Sequence, residues 1–194
     1  MLLPGLLVRL LWLAFVVTWL VLAQFNKKAT RGTPPWAGWR LRLVIVVGVI
    51  LLVHFRRHAV VRFFAAVNHS LLLHPGIALQ WLGVWLCLAG FALAVWARVH
   101  IGRNWGMPMS LREGHELVTS GPYAYIRHPI YSGLMLAMIG SAFTAGLLWL
   151  LGLVLYFTYF MFAARSEENT MLAQFPDAYA AYRRRTKMLI PFVF

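Results

Sequence analysis

The chain has 194 residues, of which 61% are hydrophobic and 12% charged, too apolar for a soluble domain of this size, where about half apolar is usual. Eighteen Lys and Arg against five Asp and Glu give a formal charge of +13, but the basic residues cluster between apolar runs. That pattern meets anionic headgroups and excludes the basic, aromatic-interleaved face of a nucleic-acid binder. The single cysteine, Cys87, excludes an internal disulfide framework and a cysteine-based metal site, and reads as a small core or lipid-facing residue.

In chain order, the first apolar run is longer than a signal-peptide core and lacks an A-x-A-like site before Asn26. It therefore reads as a retained span over 4–25. The basic segment NKKATRGTPPWAGWRLR follows, where Pro34 and Pro35 forbid a continuing helix. The run 41–55 is short for a span and crosses if Arg40 and Arg42 snorkel to the interface. Residues 56–76 mix Arg56, Arg57 and Arg62 with Phe63, Phe64 and Leu71, the pattern of an interfacial amphipathic helix ended by Pro75-Gly76. A third span over 77–99 carries Trp81, Trp85 and Trp96 for the interface belts. A long polar connection then runs from Arg98 to Arg127, and connections of that length in a compact protein carry function or are disordered. A fourth span starts at Pro129 and a fifth ends near Ala164, joined by a tight turn around Ser141 to Gly146. The expected fold is an all-α integral membrane protein, residues 1–194 as one domain. It has about five transmembrane helices, the last two a helical hairpin, plus interfacial and C-terminal short helices.

Orientation follows from the Lys and Arg count. With the N-terminus outside, fourteen of the eighteen fall on the inner side, among them Arg98, Arg103, Arg112 and Arg127, and Arg165, Arg183, Arg184, Arg185 and Lys187. The outer side keeps Arg9, Arg56, Arg57 and Arg62, so the positive-inside rule places the 98–127 connection and the C-terminal tail together in the cytoplasm.

All five carboxylates, Glu113, Glu116, Glu167, Glu168 and Asp177, fall in or beside two stretches: GHELVTSGPYAYIRHPIY at 114–131, and the end of the fifth span. A membrane chain that places its few acidic groups beside His, Tyr and Arg has a candidate site there. Pro129 suits the first position of a helix and pushes His128 towards an extended conformation. His128 would then stand beside backbone N–H groups fit for a carboxylate or phosphate. Tyr123, Tyr125 and Tyr131 crowd the same segment around the Ser120-Gly121-Pro122 turn and read as pocket walls, which a cationic ligand would favour. Adjacent carboxylates on a helix point about 100° apart. Glu167 and Glu168 are therefore not expected both to face one ligand closely; one reaches a pocket and the other meets Arg165 or solvent. Phe175-Pro176-Asp177 opens a short helix with Tyr179 and Tyr182 on one face, and Arg183, Arg184, Arg185 and Lys187 suit anionic lipid headgroups. His54, His58, His69, His74 and His100 show no metal-ligand spacing, and no metal is expected.

With these residues assembled, 98–194 resembles the isoprenylcysteine carboxyl methyltransferase family of membrane enzymes and, more distantly, the phospholipid N-methyltransferases. The signature is HELVTSGPYAYIRHPIY at 115–131, then Glu167-Glu168, Leu172, Phe175, Tyr179, Tyr182 and Pro191. The resemblance implies a cytosol-facing S-adenosylmethionine site and a lipophilic, membrane-dissolved acceptor, carboxylate or amine, with no obligate protein partner. Carried over by position, the cofactor contacts are His115, Glu116, Leu117, Val118, Tyr123, His128, Pro129, Ile130, Tyr131 and Glu167, and Glu167, Glu168 and Arg127 are the candidates for the chemical step. Two positions depart from the family pattern. Ala163 stands where the carboxyl methyltransferases carry arginine, which tells against a prenylcysteine carboxylate as acceptor, and Pro176 replaces a glycine. Two other classes compete. An NADPH-dependent membrane reductase shares a similar GPY and RHP-like end but would need a larger membrane body and a dinucleotide glycine fingerprint. A non-enzymatic lipid-binding protein or transporter subunit would carry charged residues near the membrane midplane, which spans three to five lack apart from their ends.

Overall fold

The computed structural model describes residues 3–25, 29–31, 76–105, 111–112, 114, 116–146 and 148–191. The expected second span at 41–55, the interfacial helix except Gly76, and His115 lie outside the described residues.

Four long helices make the body: α1 (Leu3–Leu22), α2 (Ile77–Ile101), α3 (Pro129–Ala145) and α4 (Leu148–Gln174), followed by the short α5 (Pro176–Arg185). Helical stretches Leu3–Phe25, Ile77–Asn104 and Trp149–Gln174 are long and apolar enough to cross a membrane, and α3 is a shorter apolar helix. The outward side chains Leu151, Val154, Leu155, Phe157 and Phe162 of α4 are exposed and apolar, as a lipid-facing surface requires.

The body is held by close backbone approach. A Cβ placed on Gly83 would come within 2.5 Å of the Gly140 carbonyl oxygen, and one on Gly90 within 2.4 Å of that of Gly133. These pairings, early with late and late with early, show α2 and α3 running antiparallel. Cys87, Ala94 and Ala137 fill the seam with no exposed surface. In lipid, where burying apolar surface gains little, such small residues let dispersion and backbone contact hold helices together. Aromatic rings of α1 wedge onto the pair: Phe15 stacks on Phe91 at 4.6 Å and Trp12 meets the Phe91 edge at 4.9 Å. The Trp12 indole donates to Ser141 Oγ at 2.9 Å.

Three expectations change. Ser141 lies inside α3, donating its hydroxyl to the Ala137 carbonyl at 2.8 Å, a bond that lets serine sit within a helix. The turn that closes the α3–α4 hairpin comes at Gly146, with φ +108. Helix α4 runs to Gln174, beyond Ala164, so Glu167 and Glu168 sit within it and not at its C-terminal dipole. Glu167 is about 28 Å from the start of the helix at about 1.5 Å per residue, one bilayer core away. Finally, strands β1 (Ala29–Arg31) and β2 (Leu111–Arg112) pair as a short antiparallel ribbon within the helical fold.

Candidate functional site

The site is built where the ends of α1, α2 and α4 and the start of α3 meet. Arg98, 2% exposed near the end of α2, donates to the Leu22 carbonyl at the end of α1 at 2.6 Å and to Gly102 at 2.8 Å. It thereby satisfies carbonyls that a helix end leaves without partners. Gly121 has φ +59 and lies so close to the His100 ring that a Cβ would fall 2.6 Å from it. The same imidazole is 2.9 Å from Ser120 Oγ. His100, given no role from sequence, thus shapes the turn that carries Tyr123 inward, where its hydroxyl donates to the Ala97 carbonyl at 3.4 Å.

Beyond that turn His128 caps α3, and Pro129 is its first residue. The chain's last stretch runs alongside: the Arg127 N–H donates to the Lys187 carbonyl at 2.8 Å and the His128 N–H to Met188 at 3.1 Å. Ser132 Oγ donates to Leu189 at 2.6 Å. The helix start is therefore partly closed by the tail, not wholly open to an anion as its sequence implied. Tyr182 of α5 donates to the Tyr123 carbonyl at 2.6 Å, and burial pushes its phenol up to about 12, leaving it a neutral donor.

Glu167 and Glu168 converge on one histidine. His128 Nδ1 is 3.4 Å from Glu167 Oε2, and Nε2 is 3.4 Å from Glu168 Oε1. Side chains about 100° apart reach one histidine because an imidazole presents nitrogens on two edges, one towards each carboxylate, and of the two Glu167 alone lines the cavity. Burial works against charge on His128, but the two adjacent glutamates outweigh it and hold its pKa above the ordinary histidine value; at 3.4 Å Nε2 meets Glu168 as an ion-pair contact and makes no hydrogen bond. Arg165 is exposed, and the partners of Glu168 are Arg127 Nε at 2.6 Å and Arg183 Nε at 3.4 Å. Arg127 also donates to the Thr186 and Arg183 carbonyls, tying the pair to the C-terminal segment. Glu167 accepts a hydrogen bond from the Tyr131 hydroxyl at 2.7 Å. The Tyr131 ring lies between His128, 5.5 Å away, and Phe160, 4.5 Å away, nearly parallel to both.

These groups border a cavity of about 350 Å³, within the range of small-molecule sites, about 300–1,000 Å³. Of the candidates from sequence, Glu116, Leu117, Val118, Tyr123, Arg127, His128, Ile130, Tyr131 and Glu167 line it. Pro129 is buried at the helix start, Glu168 sits behind His128, and Tyr125 points outward at 60% exposure. Sequence reasoning missed Trp105, Phe160, Thr170 and Met171, which also line the cavity. Thr170 and Met171 lie three and four residues after Glu167, on the same helix face, so helical spacing pointed to them. The walls are largely aromatic, with Glu116 and Glu167 as their carboxylates, and the arrangement can hold a small cationic or amphipathic molecule.

Residues 78–178 match the phospholipid methyltransferase family model. The likeness therefore takes in most of α2, upstream of the stretch from 98 that the motifs marked. A cobalt-zinc-cadmium resistance protein of Cupriavidus metallidurans is 35% identical over 123 residues, 58% of this chain and 54% of that protein. The protein-S-isoprenylcysteine O-methyltransferase of Schizosaccharomyces pombe is 30% identical over 112 residues, 56% of this chain and 47% of that protein. The chain spans about half the length of these curated relatives. Among solved structures, the eukaryotic intramembrane Ras methyltransferase (isoprenylcysteine carboxyl methyltransferase) superposes with a TM-score of 0.51 at 28% identity, over 70% of this chain and 54% of that one. With the family model covering half the sequence and the fold shared with the solved enzyme, this chain belongs to the phospholipid methyltransferase family and resembles its isoprenylcysteine carboxyl methyltransferase members.

Proposed function

We propose that the protein is a membrane methyltransferase that binds S-adenosylmethionine from the cytosolic side and transfers the methyl group to a lipophilic acceptor in the bilayer. The observation that carries this reading is the convergence of Glu167, His128 and Tyr131, from two helices and a turn, on the wall of one aromatic cavity. The residues fit the cofactor. The Tyr131 and Tyr123 rings and the Glu167 carboxylate suit a sulfonium, and the 116–118 segment lies on the same wall. Glu116, Leu117, Val118, Tyr123, His128, Ile130, Tyr131 and Glu167 would hold it, with Pro129 fixing the start of α3; His115 joins this set on the family pattern alone. When bound, the cofactor supplies an electrophilic methyl group. The protein supplies position and a fixed electrostatic frame, which is most of what an in-line displacement requires.

Arg127 and Glu167 face the cavity, and Glu168 acts on it through His128. Ala163 is fully buried and Arg165 exposed and off the cavity wall, so among the described residues of α4 no cation stands in for the family's arginine. This supports an acceptor other than a prenylcysteine carboxylate. The name of the metal-resistance relative is not carried over: among the described residues no group of three His, Cys, Asp or Glu side chains is placed to hold a metal ion. At the same end as the cavity, the exposed Arg184, Arg185 and Lys187 suit anionic headgroups.

The test is methyl transfer from labelled S-adenosylmethionine into a lipid extract by the purified protein. Wild type should label an organic-soluble product. Glu167→Gln should lose at least about tenfold, since a hydrogen bond to a charged group is worth roughly 1.5–3 kcal/mol. Absence of labelling by folded wild type across lipid classes would overturn the reading.

A further inference from the structure

One feature of the site goes unused by positioning alone. His128 is buried between two carboxylates, one on each ring nitrogen at 3.4 Å. Glu167 lies on the cavity wall. Glu168 is buried, and its other oxygen, Oε2, is 3.4 Å from Arg183, whose side chain is 52% exposed at the surface. The imidazole thus links the cavity wall, on its Nδ1 side, to a buried ion-pair cluster on its Nε2 side, where Nε2 itself makes no hydrogen bond. The charged and titratable groups around the imidazole are Glu167 and Glu168 from α4, Arg127 from the preceding turn, Tyr131 from α3, and Arg183 and Tyr179 from α5. With His128 protonated, two carboxylates face two cations, His128 and Arg127, and the inner cluster is neutral.

A cationic ligand seated against Glu167 meets a carboxylate whose second oxygen already faces an imidazolium. Two positive charges then compete for one buried anion in a low-dielectric site, where each is felt strongly. The cheaper outcome is for the histidine, and not the permanently charged ligand, to give up its charge.

Resting on the methyl-transfer reading, we propose that His128 exchanges its proton for the positive charge of the bound sulfonium, and takes a proton back through Glu167 when that charge is consumed. On binding, the Nδ1 proton leaves through Glu167 to solvent, and Nε2 keeps its proton on the Glu168 side. In the chemical step the acceptor's attacking atom forms its bond to the methyl carbon. The carbon–sulfur bond breaks, with its electron pair remaining on sulfur. Because Nδ1 is the nitrogen that gave up its proton, the proton displaced from the acceptor passes to Glu167 and on to the vacant His128 Nδ1. The number of charges in the cavity is the same before and after. A site of this design serves an acceptor that carries a proton on its attacking atom, an amine or a thiol, because an ionised carboxylate has none to return.

The measurement is the number of protons released on binding. Titration calorimetry of the full chain in detergent, in phosphate and in Tris at the same pH, separates proton release through the different ionisation heats of the buffers. S-adenosylmethionine, a sulfonium, is compared with S-adenosylhomocysteine, the neutral thioether. The sulfonium should release up to about one proton, and over the pH range below the histidine's titration its affinity relative to the thioether should increase with rising pH, by as much as about tenfold per unit. The thioether should release none, and His128→Gln should abolish the difference. If that variant does not fold, the imidazole ¹⁵N resonances of His128 in labelled wild type decide, moving from charged to neutral as the sulfonium binds. Equal proton exchange with both compounds, or none with either, overturns the proposal and leaves the cofactor reading intact. Failure of wild type to bind either compound removes both.

Discussion

Glu167 has both carboxylate oxygens engaged within the protein, by the Tyr131 hydroxyl and by His128 Nδ1. It is therefore aimed before any ligand arrives, as a site built on rigid elements requires. Tyr131→Phe keeps the stack on Phe160 but frees one oxygen. S-adenosylmethionine affinity should fall about tenfold, the worth of a bond of roughly 1.5 kcal/mol to a charged group, measured by calorimetry. Arg127→Ala leaves Glu168 buried without its closest cation and breaks the tie to the Thr186 carbonyl. About 3–5 kcal/mol of stability should be lost, read as a drop in thermal midpoint. The His128 pKa is raised in the folded protein. Its ion pairs therefore stabilise fully below about pH 6.5, the ordinary histidine value, and that contribution disappears as pH rises through the higher folded value. The thermal midpoint of wild type should accordingly fall relative to His128→Gln across that window, and parallel pH profiles would contradict this. The residue types of the site were legible from their rarity in an apolar chain. The pairing of Arg127 with Glu168 was not, because 41 residues separate them and only the folding of α4 back along α3 brings them together.

At the scale of elements, the α2–α3 seam positions everything that follows. Gly83 and Gly90 face Gly140 and Gly133 with backbone oxygens where side chains would otherwise be. Gly90→Ala should cost about 1–3 kcal/mol by overpacking, whereas Gly76→Ala, whose added methyl would meet nothing within 4 Å, should leave the midpoint near wild type. Equal effects in a detergent melting assay would contradict the seam. The helices were readable as apolar runs bounded by Pro and basic residues. Their ends were less so: α4 passes Ala164 because Ser166, Glu167, Glu168 and Asn169 continue the helix after the apolar run stops. Polarity marks where a helix leaves the bilayer, not where it ends. The seam itself went unread: the seven-residue spacing of Gly83 with Gly90 and of Gly133 with Gly140 does not stand out in sequence, because small residues are common in membrane helices.

At the scale of the whole molecule, the ends of α1, α2 and α4 gather at one end with the site, the β ribbon and the α5 arginines, while the Gly146 turn and the start of α1 lie at the other, where Gly5 approaches Thr144. That grouping matches the sidedness expected from the basic residues, and we propose the site end as cytosolic. Cysteine introduced at Arg184 should react with an impermeant thiol reagent from the cytosolic side alone, because native Cys87 is buried; labelling from the opposite side would invert the orientation. Whether Glu167 and His128 form a binding wall for S-adenosylmethionine is read from equilibrium binding of that compound to the purified, folded protein. Wild type should bind it saturably and both Glu167→Gln and His128→Ala should lose that binding, whereas unchanged affinity in the two variants would place the site elsewhere.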